Sequence, residues 1–490
     1  MKAFSRINIG EKISFIIGCK NYLILVVSKK TDKPCANYTR QEFYSKIMHV
    51  HVSLLRLRLL PARRAFSTAS SVSYRTDLDR EGVFFTVEDF PVTGQPANER
   101  NEPSTLKSTV EKWRNNFSPI GALTKDQHKQ FFDKGWVIVH NVIPTSVLDA
   151  AVESVESLVD DLAERLHNLD KIADKHESES FHTRLAALER DCPHASVLLH
   201  KNGILPKGIQ DTWSHPSLVS MACQLLGDDV DICGHPVWNL RCKTPEDLSS
   251  GQATVPWHQD NAYLDEECWD KLQVTAWVPL LDTNVQNGCM QVVEEGHVSG
   301  VTANHACCVG GTWYTEVLPE ELEATLGCDM KKQIVACEVP YGSVLLLNNL
   351  IPHRSLPNYS NGVRWSLDLR WQRGGEPNGF HGLKDSKLMK EGSCPVEEYD
   401  GVVDWGDWAN EDRNVAQYDA LTDDQLREIE DIGRQEGRVD EKHPELDTTI
   451  AGPWMNRWSP IVHHNRHTEV MDPDGNLVGW GGGFYKEQEQ

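Results

Sequence analysis

Four residues in the second half of the chain have types and an order that suit chemistry at a metal ion. His258 and Asp260 are separated by one residue, His353 follows much later, and Arg364 lies eleven positions after His353. At a strand or strand end, residues i and i+2 point to the same side, so an imidazole and a carboxylate can converge on one ion. Two histidines and one carboxylate leave an iron ion open to a cosubstrate and dioxygen, as in non-haem Fe(II) oxygenases. His258, Asp260 and His353 are the predicted metal ligands and catalytic centre.

Arg364 begins a segment whose two faces differ. Between residues 363 and 371 the odd positions are all apolar, and the even positions are Arg364, Ser366, Asp368 and Arg370. Because successive side chains of a strand point to opposite faces, one face is apolar and the other polar. With the metal residues nearby in sequence order, we interpret the polar face as lining a barrel mouth. Arg364 then supplies a planar, permanently charged group for a carboxylate.

Two helices and one strand are predicted before this region. Thr124 and Gln127 have the form of a capping box for a helix that ends at Gly135, and a β-branched run over residues 136–142 predicts a strand. Apolar residues at three- and four-residue intervals predict a second helix that is capped by Thr145 and buries one face on a sheet.

The following segments predict a fold dominated by strands. Short β-rich runs are separated by Gly, Pro, Asn and Asp, which is typical of an all-β sandwich or barrel. The predicted strands cover residues 230–233, 237–242, 272–279, 288–293, 333–339, 342–347 and 362–371. The predicted fold class is therefore an all-β core with flanking helices, α+β overall.

Composition excludes several classes of protein. The chain has 490 residues, 39% of them hydrophobic, and 49 basic against 72 acidic residues give a formal charge of -23. Such an acidic protein is not expected to bind nucleic acid or anionic membranes. The apolar run over residues 22–27 is far shorter than the roughly 20 residues of a membrane-spanning helix. The thirteen cysteines include no C-x-x-C pair and are expected to be packing residues in a reducing compartment.

Charge and composition divide the chain into four segments. Residues 1–76 form a basic leader whose acid-free part, 48–74, has the composition of an organelle transit segment, and Met48 is a second candidate for the start of the chain. We expect a mitochondrial location on this ground and a cytoplasmic one otherwise; a basic tail is the alternative. Residues 77–118 are expected to be a linker or wrapped arm, and 119–375 the catalytic domain. Residues 376–490 are an acidic, Trp- and Gly-rich extension, with a helix predicted over 422–434, that we expect to pack on the barrel.

Several motifs together resemble the phytanoyl-CoA dioxygenase family. They are the segment 123–139, the His258-Gln-Asp260 triplet, residues 275–280, the Asn-Gly-Cys-Met sequence at 287–290, and His353-x-Ser355 followed by Arg364. They cover residues 120 to 375, about half of the chain, and their order and spacing are more specific than any one of them. The resemblance implies a double-stranded β-helix, the jelly-roll or cupin-like core, that binds Fe(II) and 2-oxoglutarate.

The resemblance also implies roles for individual residues. It makes His258, Asp260 and His353 the iron ligands, and Arg364 with Ser355 the clamp for the far carboxylate of 2-oxoglutarate. Trp277 matches a family tryptophan beside the cosubstrate, and Lys201 resembles a lysine that reaches it, with Lys207 and Lys243 as competing positions. The family's Pro-Gly-Ser-His turn is replaced here by Glu-Glu-Gly-His at 294–297, so His297 is not expected to be a ligand.

The resemblance implies a dioxygenase that uses dioxygen and decarboxylates 2-oxoglutarate to succinate. The expected substrate is a small or lipid-like molecule that is hydroxylated, with ascorbate as a reductant for iron. Asp260 disfavours halogenation, because halogenating relatives lack this carboxylate. The strongly acidic charge disfavours a phosphate-bearing CoA ester. Two alternatives stay open: a jelly-roll protein that binds metal and 2-oxoglutarate without turnover, and a cupin-like hydrolase or isomerase that does not use 2-oxoglutarate.

Overall fold

A computed structural model describes most of the second half of the chain and a part of the first. It covers residues 114–249, 253–307, 313–379 and 385–411, isolated positions between 442 and 454, and the backbone of short strands before residue 86. Residues 48–73 of the predicted leader and the helix predicted over 422–434 lie outside the described residues. The chain divides into two compact units, Met1–Ala69 and Ser70–Gln490. The predicted segment boundaries at residues 76, 118 and 375 stay predictions.

The first unit contains one antiparallel sheet of three strands. They are β1 (Ser5–Ile9), β2 (Lys12–Cys19) and β3 (Tyr22–Ser28), paired in that order. The apolar run at 22–27 therefore lies in a strand. None of the helices in the described part of the chain is both long and apolar enough to cross a membrane.

The second unit combines short helices with many strands. Its helices are α1 (Lys125–Lys134), α2 (Thr145–Asn168), α3 (Arg184–Asp191), α4 (Ala195–His200), α5 (Lys207–Trp213), α6 (Pro216–Leu226), α7 (Glu246–Ser249), α8 (Pro319–Glu321) and α9 (Gly406–Asn410). Its strands are β4 (Tyr74–Arg75), β5 (Phe84–Phe85), β6 (Trp136–Val139), β7 (Ile232–Gly234), β8 (Asn239–Lys243), β9 (Val274–Pro279), β10 (Met290–Val293), β11 (Ala306–Cys307), β12 (Thr315–Glu316), β13 (Ile334–Cys337), β14 (Val344–Asn348), β15 (His353–Ser355), β16 (Arg364–Arg373) and β17 (Lys387–Lys390).

Two antiparallel sheets form the core. The larger has the order β17-β7-β16-β9-β14-β6, with β8 also paired to β16, and the smaller has the order β13-β10-β15. Trp277 and Leu345 of the larger sheet share a buried cluster with Met290 and Val292 of the smaller one. The sheets therefore pack face to face, in two open layers rather than one closed barrel. This confirms the predicted jelly-roll core with flanking helices.

The helices cover the outer face of the larger sheet. Trp365, Leu367 and Leu369 of β16 belong to the same buried cluster as Leu148 and Val155 of α2. Fully buried side chains of this size contribute roughly 1.5–3 kcal/mol each to stability. The apolar face of β16 thus belongs to the helix layer, which leaves its polar face for the space between the sheets.

The predicted strands and the first helix are confirmed, and the start of the second helix is corrected. Thr124 accepts a hydrogen bond from the Gln127 N–H in a complete capping box, and Gly135 ends α1 with a φ of 85°. Thr145, however, does not cap α2. Pro144 occupies the cap position with an extended backbone and without a side-chain hydrogen bond, so Thr145 is the first helical residue. The buried face of α2 shares the core cluster of β16, as predicted, and its main helix neighbours are α5 and α4.

The two threonines provide a matched test of these helix ends. We expect Thr124→Ala to lower the free energy of unfolding by about 1 kcal/mol, because the Gln127 N–H loses its side-chain acceptor. Thr145→Ala should have little effect, since its side chain makes no capping bond. Urea denaturation of both variants measures the difference. Equal losses in the two variants would contradict the assignment.

Candidate active site

The two predicted histidine ligands are brought together by backbone pairing. The His258 N–H donates to the His353 carbonyl at 3.0 Å, and the His353 N–H donates to the His258 carbonyl at 2.9 Å. The ring centroids are 4.2 Å apart, and both side chains are buried. Residues that are distant in the sequence are thus fixed side by side by one antiparallel bridge.

The hydrogen bonds of both imidazoles fix the same tautomer. The Nδ1 atom of His258 lies 2.9 Å from the Pro256 carbonyl, and that of His353 lies 3.0 Å from the Ile351 carbonyl. A carbonyl only accepts, so each Nδ1 carries the proton and each Nε2 keeps a lone pair. Burial and the neighbouring His258 ring lower the pKa of His353 to about 4. His353 is therefore neutral at pH 7 and available to a metal ion.

Asp260, two residues after His258, completes the cluster. Its Oδ1 atom lies 3.7 Å from Nε2 of His258 and 3.9 Å from Nε2 of His353. Gln259, between the two ligands, points the other way and donates to the carbonyls of Val301 and Leu350. The alternation expected at a strand end is thus observed, although Asp260 itself opens a 3₁₀ turn over Asp260–Tyr263.

Arg370 and Thr275 hold the other oxygen of Asp260. The Thr275 hydroxyl donates to Oδ2 at 2.9 Å, and Nε and Nη2 of Arg370 lie 3.3 Å from the same atom. Although burial opposes ionisation, Arg370 and the imidazoles hold the pKa of Asp260 well below its usual range. The carboxylate is charged, and Oδ1 is the oxygen turned towards the imidazole nitrogens.

This donor set fits Fe(II). The ligand atoms of His258, Asp260 and His353 all lie within 4.8 Å of one another, and each residue offers one of them. Two neutral imidazole nitrogens and one carboxylate oxygen on one side of an ion form the facial triad of non-haem iron oxygenases. The sequence indicated all three ligands, but not the residues that orient Asp260; Arg370 was visible only as part of a polar strand face.

Arg364 lies in the same cavity as the triad. Its Cζ atom is 5.1 Å from the centre of the Trp277 ring, and its Nη1 donates to the Ser366 hydroxyl at 2.6 Å. Its Nε has no acceptor in the described part of the chain, although it is buried. Burial lowers the pKa of Arg364 to about 10, so the group stays charged at neutral pH. A buried cation with an unused N–H is suited to an incoming carboxylate.

The lysine beside this clamp is Lys243, and the expectation for Lys201 is corrected. Lys243 lies on β8 opposite Arg364, and its Nζ donates to the Ser355 hydroxyl at 3.1 Å. Burial and the charge of Arg364 lower the pKa of Lys243 well below its usual value. Lys201 follows the last residue of α4, and neither it nor Lys207 lines the cavity. Distance along the sequence from the triad does not identify this lysine, because the pairing of β8 with β16 determines which lysine lies opposite Arg364.

His297 also lies where the sequence placed it, outside the ligand set. Its Nε2 donates to the Phe132 carbonyl at 2.9 Å, and the ring packs beside Gly135. It supports the end of α1.

Comparison with known proteins assigns the core to a family. Residues 131–366 match the model of the family described as Phytanoyl-CoA dioxygenase (PhyH). This segment of the chain is similar to the phytanoyl-CoA dioxygenase family. The match includes the whole triad, Ser355 and Arg364. It confirms the family indicated by the sequence motifs.

Two curated relatives match part of the chain. A 1-deoxypentalenic acid 11-beta-hydroxylase of Streptomyces arenae is 27% identical over 176 residues, which are 35% of this chain and 60% of the relative. The enzyme with the same name from Streptomyces exfoliatus is 28% identical over 182 residues, again 35% of this chain and 60% of the relative. The chain thus spans about three fifths of the length of the relatives it matches.

Similar solved structures include non-haem enzymes. The apo form of the non-heme monooxygenase ThoJ has a TM-score of 0.38 and 17% identity, over 63% of this chain and 98% of ThoJ. EctD from S. alaskensis, solved with 2-oxoglutarate and 5-hydroxyectoine, has a TM-score of 0.36 and 14% identity, over 53% of this chain and 80% of EctD.

The triad can be tested by metal binding alone. We expect His353→Ala to lose more Fe(II) affinity than the roughly 10- to 100-fold typical of residues that only support a ligand, since it removes a donor atom. His140→Ala, an exposed position outside the cavity, is the matched control. Anaerobic Fe(II) titration of the PhyH protein and both variants measures the affinities. Similar affinities in all three proteins would exclude this metal site.

Arg370 can be tested through stability. Arg370→Met leaves Asp260 as a buried charge without its cation, which we expect to cost the metal-free protein about 3–5 kcal/mol. Fe(II) should offset part of that loss, because the ion replaces the missing positive charge beside the carboxylate. Arg370→Lys keeps a cation and should lose less. Chemical denaturation with and without Fe(II) measures these differences; an equal loss under both conditions would contradict the role of Arg370.

Proposed function

We propose that the chain is an Fe(II)- and 2-oxoglutarate-dependent dioxygenase that hydroxylates a small or lipid-like organic molecule. The observation that carries this proposal is the pairing, in one cavity, of the His258, Asp260 and His353 cluster with a buried Arg364 whose Nε has no acceptor. The cluster of metal-ligating residues alone would fit many cupin-like enzymes. The additional clamp for a carboxylate favours 2-oxoglutarate as the cosubstrate. The PhyH family match and the two hydroxylase relatives support it.

When bound, iron and 2-oxoglutarate supply the oxidative chemistry that couples decarboxylation to succinate with hydroxylation by dioxygen. The chain's own residues prepare this chemistry. Backbone carbonyls hold the two imidazoles with Nε2 towards Asp260, and Thr275 and Arg370 hold Oδ2 of Asp260 while Oδ1 is turned towards the imidazole nitrogens. Arg364 neutralises the distant carboxylate of the cosubstrate, so that its other end is directed towards the triad.

Asp260 also favours hydroxylation over halogenation. Halide transfer requires a coordination position on the iron that the Asp260 carboxylate would occupy in this protein. Two polar side chains hold Asp260 in that position, which makes its displacement costly in a buried site. The intact carboxylate and its supports therefore point to a hydroxylase.

Two further proposals concern the reductant for the iron and the location of the protein. Ascorbate is proposed as the reductant that keeps the iron ferrous between turnovers. A mitochondrial location is proposed from the basic, acid-free composition of residues 48–74, with the cytoplasm as the alternative.

The proposal is tested first by cosubstrate binding and then by turnover. Purified full-length protein is titrated with 2-oxoglutarate under anaerobic conditions in the presence of Fe(II), and succinate release is followed after air and ascorbate are added. We expect Arg364→Lys to weaken 2-oxoglutarate binding about 10- to 100-fold, because a hydrogen bond to a charged group contributes roughly 1.5–3 kcal/mol and the planar fork is lost.

The outcomes separate the alternative functions. Slow succinate release that disappears in His353→Ala supports the dioxygenase. Binding of 2-oxoglutarate with no succinate, even after a substrate screen, indicates a binding protein without turnover. No binding of 2-oxoglutarate to the iron-loaded protein excludes the proposal and favours a cupin-like enzyme that does not use it.

A further inference from the structure

A second buried guanidinium group borders the cavity and takes no part in the proposed clamp. Arg241 lies on β8, and its Nε donates to Oδ2 of Asp368 at 2.7 Å. In the described part of the chain, no acceptor lies within hydrogen-bond distance of its two Nη groups. Arg241 therefore binds Asp368 through the Nε side of its guanidinium group, and the edge formed by its Nη groups is unused.

The unused edge of Arg241 faces the cavity. The neighbouring residues on β8, Leu240 and Cys242, pack in or against the core cluster of the helix layer, so alternation directs Arg241 inwards. About 20% of its side chain is accessible, compared with 9% for Asp368, and both residues line the same cavity as the triad. The accessible part of Arg241 is thus cavity surface. A guanidinium edge in such a site is suited to bind an anion.

Arg241 is placed apart from the proposed cosubstrate clamp. In the register of β8 with β16, Lys243 lies opposite Arg364, whereas Arg241 lies opposite Ser366 and is diagonal to Asp368. The clamp is bordered by Trp277 and Ser355. Tyr314 is close enough to interact electrostatically with both arginines, so the site at Arg241 adjoins the clamp and is separated from it by two residues along β8.

An aromatic wall adjoins Arg241. The Trp313 ring lies 4.8 Å from Tyr314 and stacks at 5.1 Å on His200, measured between ring centroids, and all three residues line the cavity. Val197 and Val255 extend this lining with apolar surface. A surface of this kind binds the apolar body of a ligand, and a single polar anchor sets its orientation.

The charges along β8 and β16 leave a positive excess. Arg241, Arg364 and Arg370 face Asp260 and Asp368, and the charges of Fe(II) and of a 2-oxoglutarate dianion cancel each other. Lys243 is linked through the Thr254 hydroxyl to Glu246, which offsets its charge.

Glu189 also borders the cavity, but its two oxygens accept from the backbone N–H groups of His194 and Ser196. Glu189 is thus held by backbone N–H groups at the start of α4 rather than by an arginine. Arg241 shares its charge with Asp368, but its Nη groups have no acceptor in the described part of the chain, and buried N–H groups without an acceptor are costly.

We propose that the substrate is an apolar organic acid whose carboxylate binds the Nη groups of Arg241 and whose body lies on the Trp313 and Tyr314 wall. The inference rests on the proposed function, because it names the substrate class of the same cavity. The anion supplies an acceptor for the Nη groups, and the Arg241–Asp368 pair holds the anchor rigidly. The carboxylate then determines which C–H bond faces the triad.

The test compares acids with neutral molecules of the same shape. Full-length protein with Fe(II) and saturating 2-oxoglutarate, kept anaerobic, is titrated calorimetrically with cyclohexanecarboxylate, 1-adamantanecarboxylate and their primary amides. Saturating 2-oxoglutarate keeps the probe acids out of the cosubstrate clamp. We expect the acids to bind at least about tenfold more tightly than the amides, which corresponds to about 1.4 kcal/mol.

Variants test whether Arg241 causes the preference for acids over amides. In Arg241→Gln the acid-to-amide affinity ratio should fall to about one, and in Arg241→Lys it should be intermediate. Because Arg241→Gln leaves Asp368 unpaired, the double variant Arg241→Gln with Asp368→Asn removes the pair as a whole and should give the same ratio. Arg165→Gln, on the exposed face of α2, is the matched control and should keep the full preference.

Each outcome supports or overturns the inference. Equal binding of acids and amides, or no binding of either, overturns it, as does a preference that survives in Arg241→Gln. If Arg241→Gln loses 2-oxoglutarate affinity but keeps the acid preference, Arg241 belongs to the cosubstrate clamp and the inference fails. A failure of the proposed function appears separately, as the absence of 2-oxoglutarate binding in the unaltered protein, and acid binding can still be measured there.

Discussion

Strand β16 imposes the constraint on which the rest of the structure depends, because both of its faces are buried. Its apolar face packs into the helix layer, and its polar face carries Arg364, Ser366, Asp368 and Arg370 between the sheets. Charged groups persist in such a place only when they are paired. Asp368 is paired with Arg241, and Asp260 with Arg370, so each carboxylate is held by a strand neighbour before any ligand arrives. The ion pairs that stabilise these buried carboxylates thus also preorganise the candidate active site.

The metal ligands depend on the backbone in a similar way. One antiparallel bridge places the two imidazoles side by side, and carbonyls two residues before each histidine fix the ring tautomer. A neutral His353 avoids a buried positive charge in the metal-free protein, and its low pKa reflects that cost. The stable metal-free state is therefore also the state in which a metal ion can bind His353 without displacing a proton from its Nε2.

Local patterns allowed much of this to be predicted, and long-range pairing explains what was missed. Strand alternation indicated the polar face of β16, because alternation depends on near neighbours in the chain. The order and spacing of residue types, with the family resemblance, indicated the triad and Arg364. Lys243 was passed over in favour of Lys201 because its position opposite Arg364 arises only when β8 pairs with β16. The same pairing creates the Arg241–Asp368 contact, which no spacing rule indicates. Thr145 was misassigned because Pro144, with its fixed φ, takes the cap position of α2.

The C-terminal extension reaches the active site through aromatic contacts. Trp405 lies 5.7 Å from Trp213 and belongs to the core cluster of the helix layer, so this part of the extension is packing. Trp454 differs, because its Nε1 donates to the Trp313 carbonyl at 2.9 Å and its ring meets the edge of Tyr263, which in turn lies against His258. Trp313 forms part of the cavity wall. The position of that wall thus depends on a residue outside the segment that matches the family, whereas the triad and the carboxylate clamp lie inside it. One wall of the cavity is therefore supported by a residue that lies outside the segment carrying the triad.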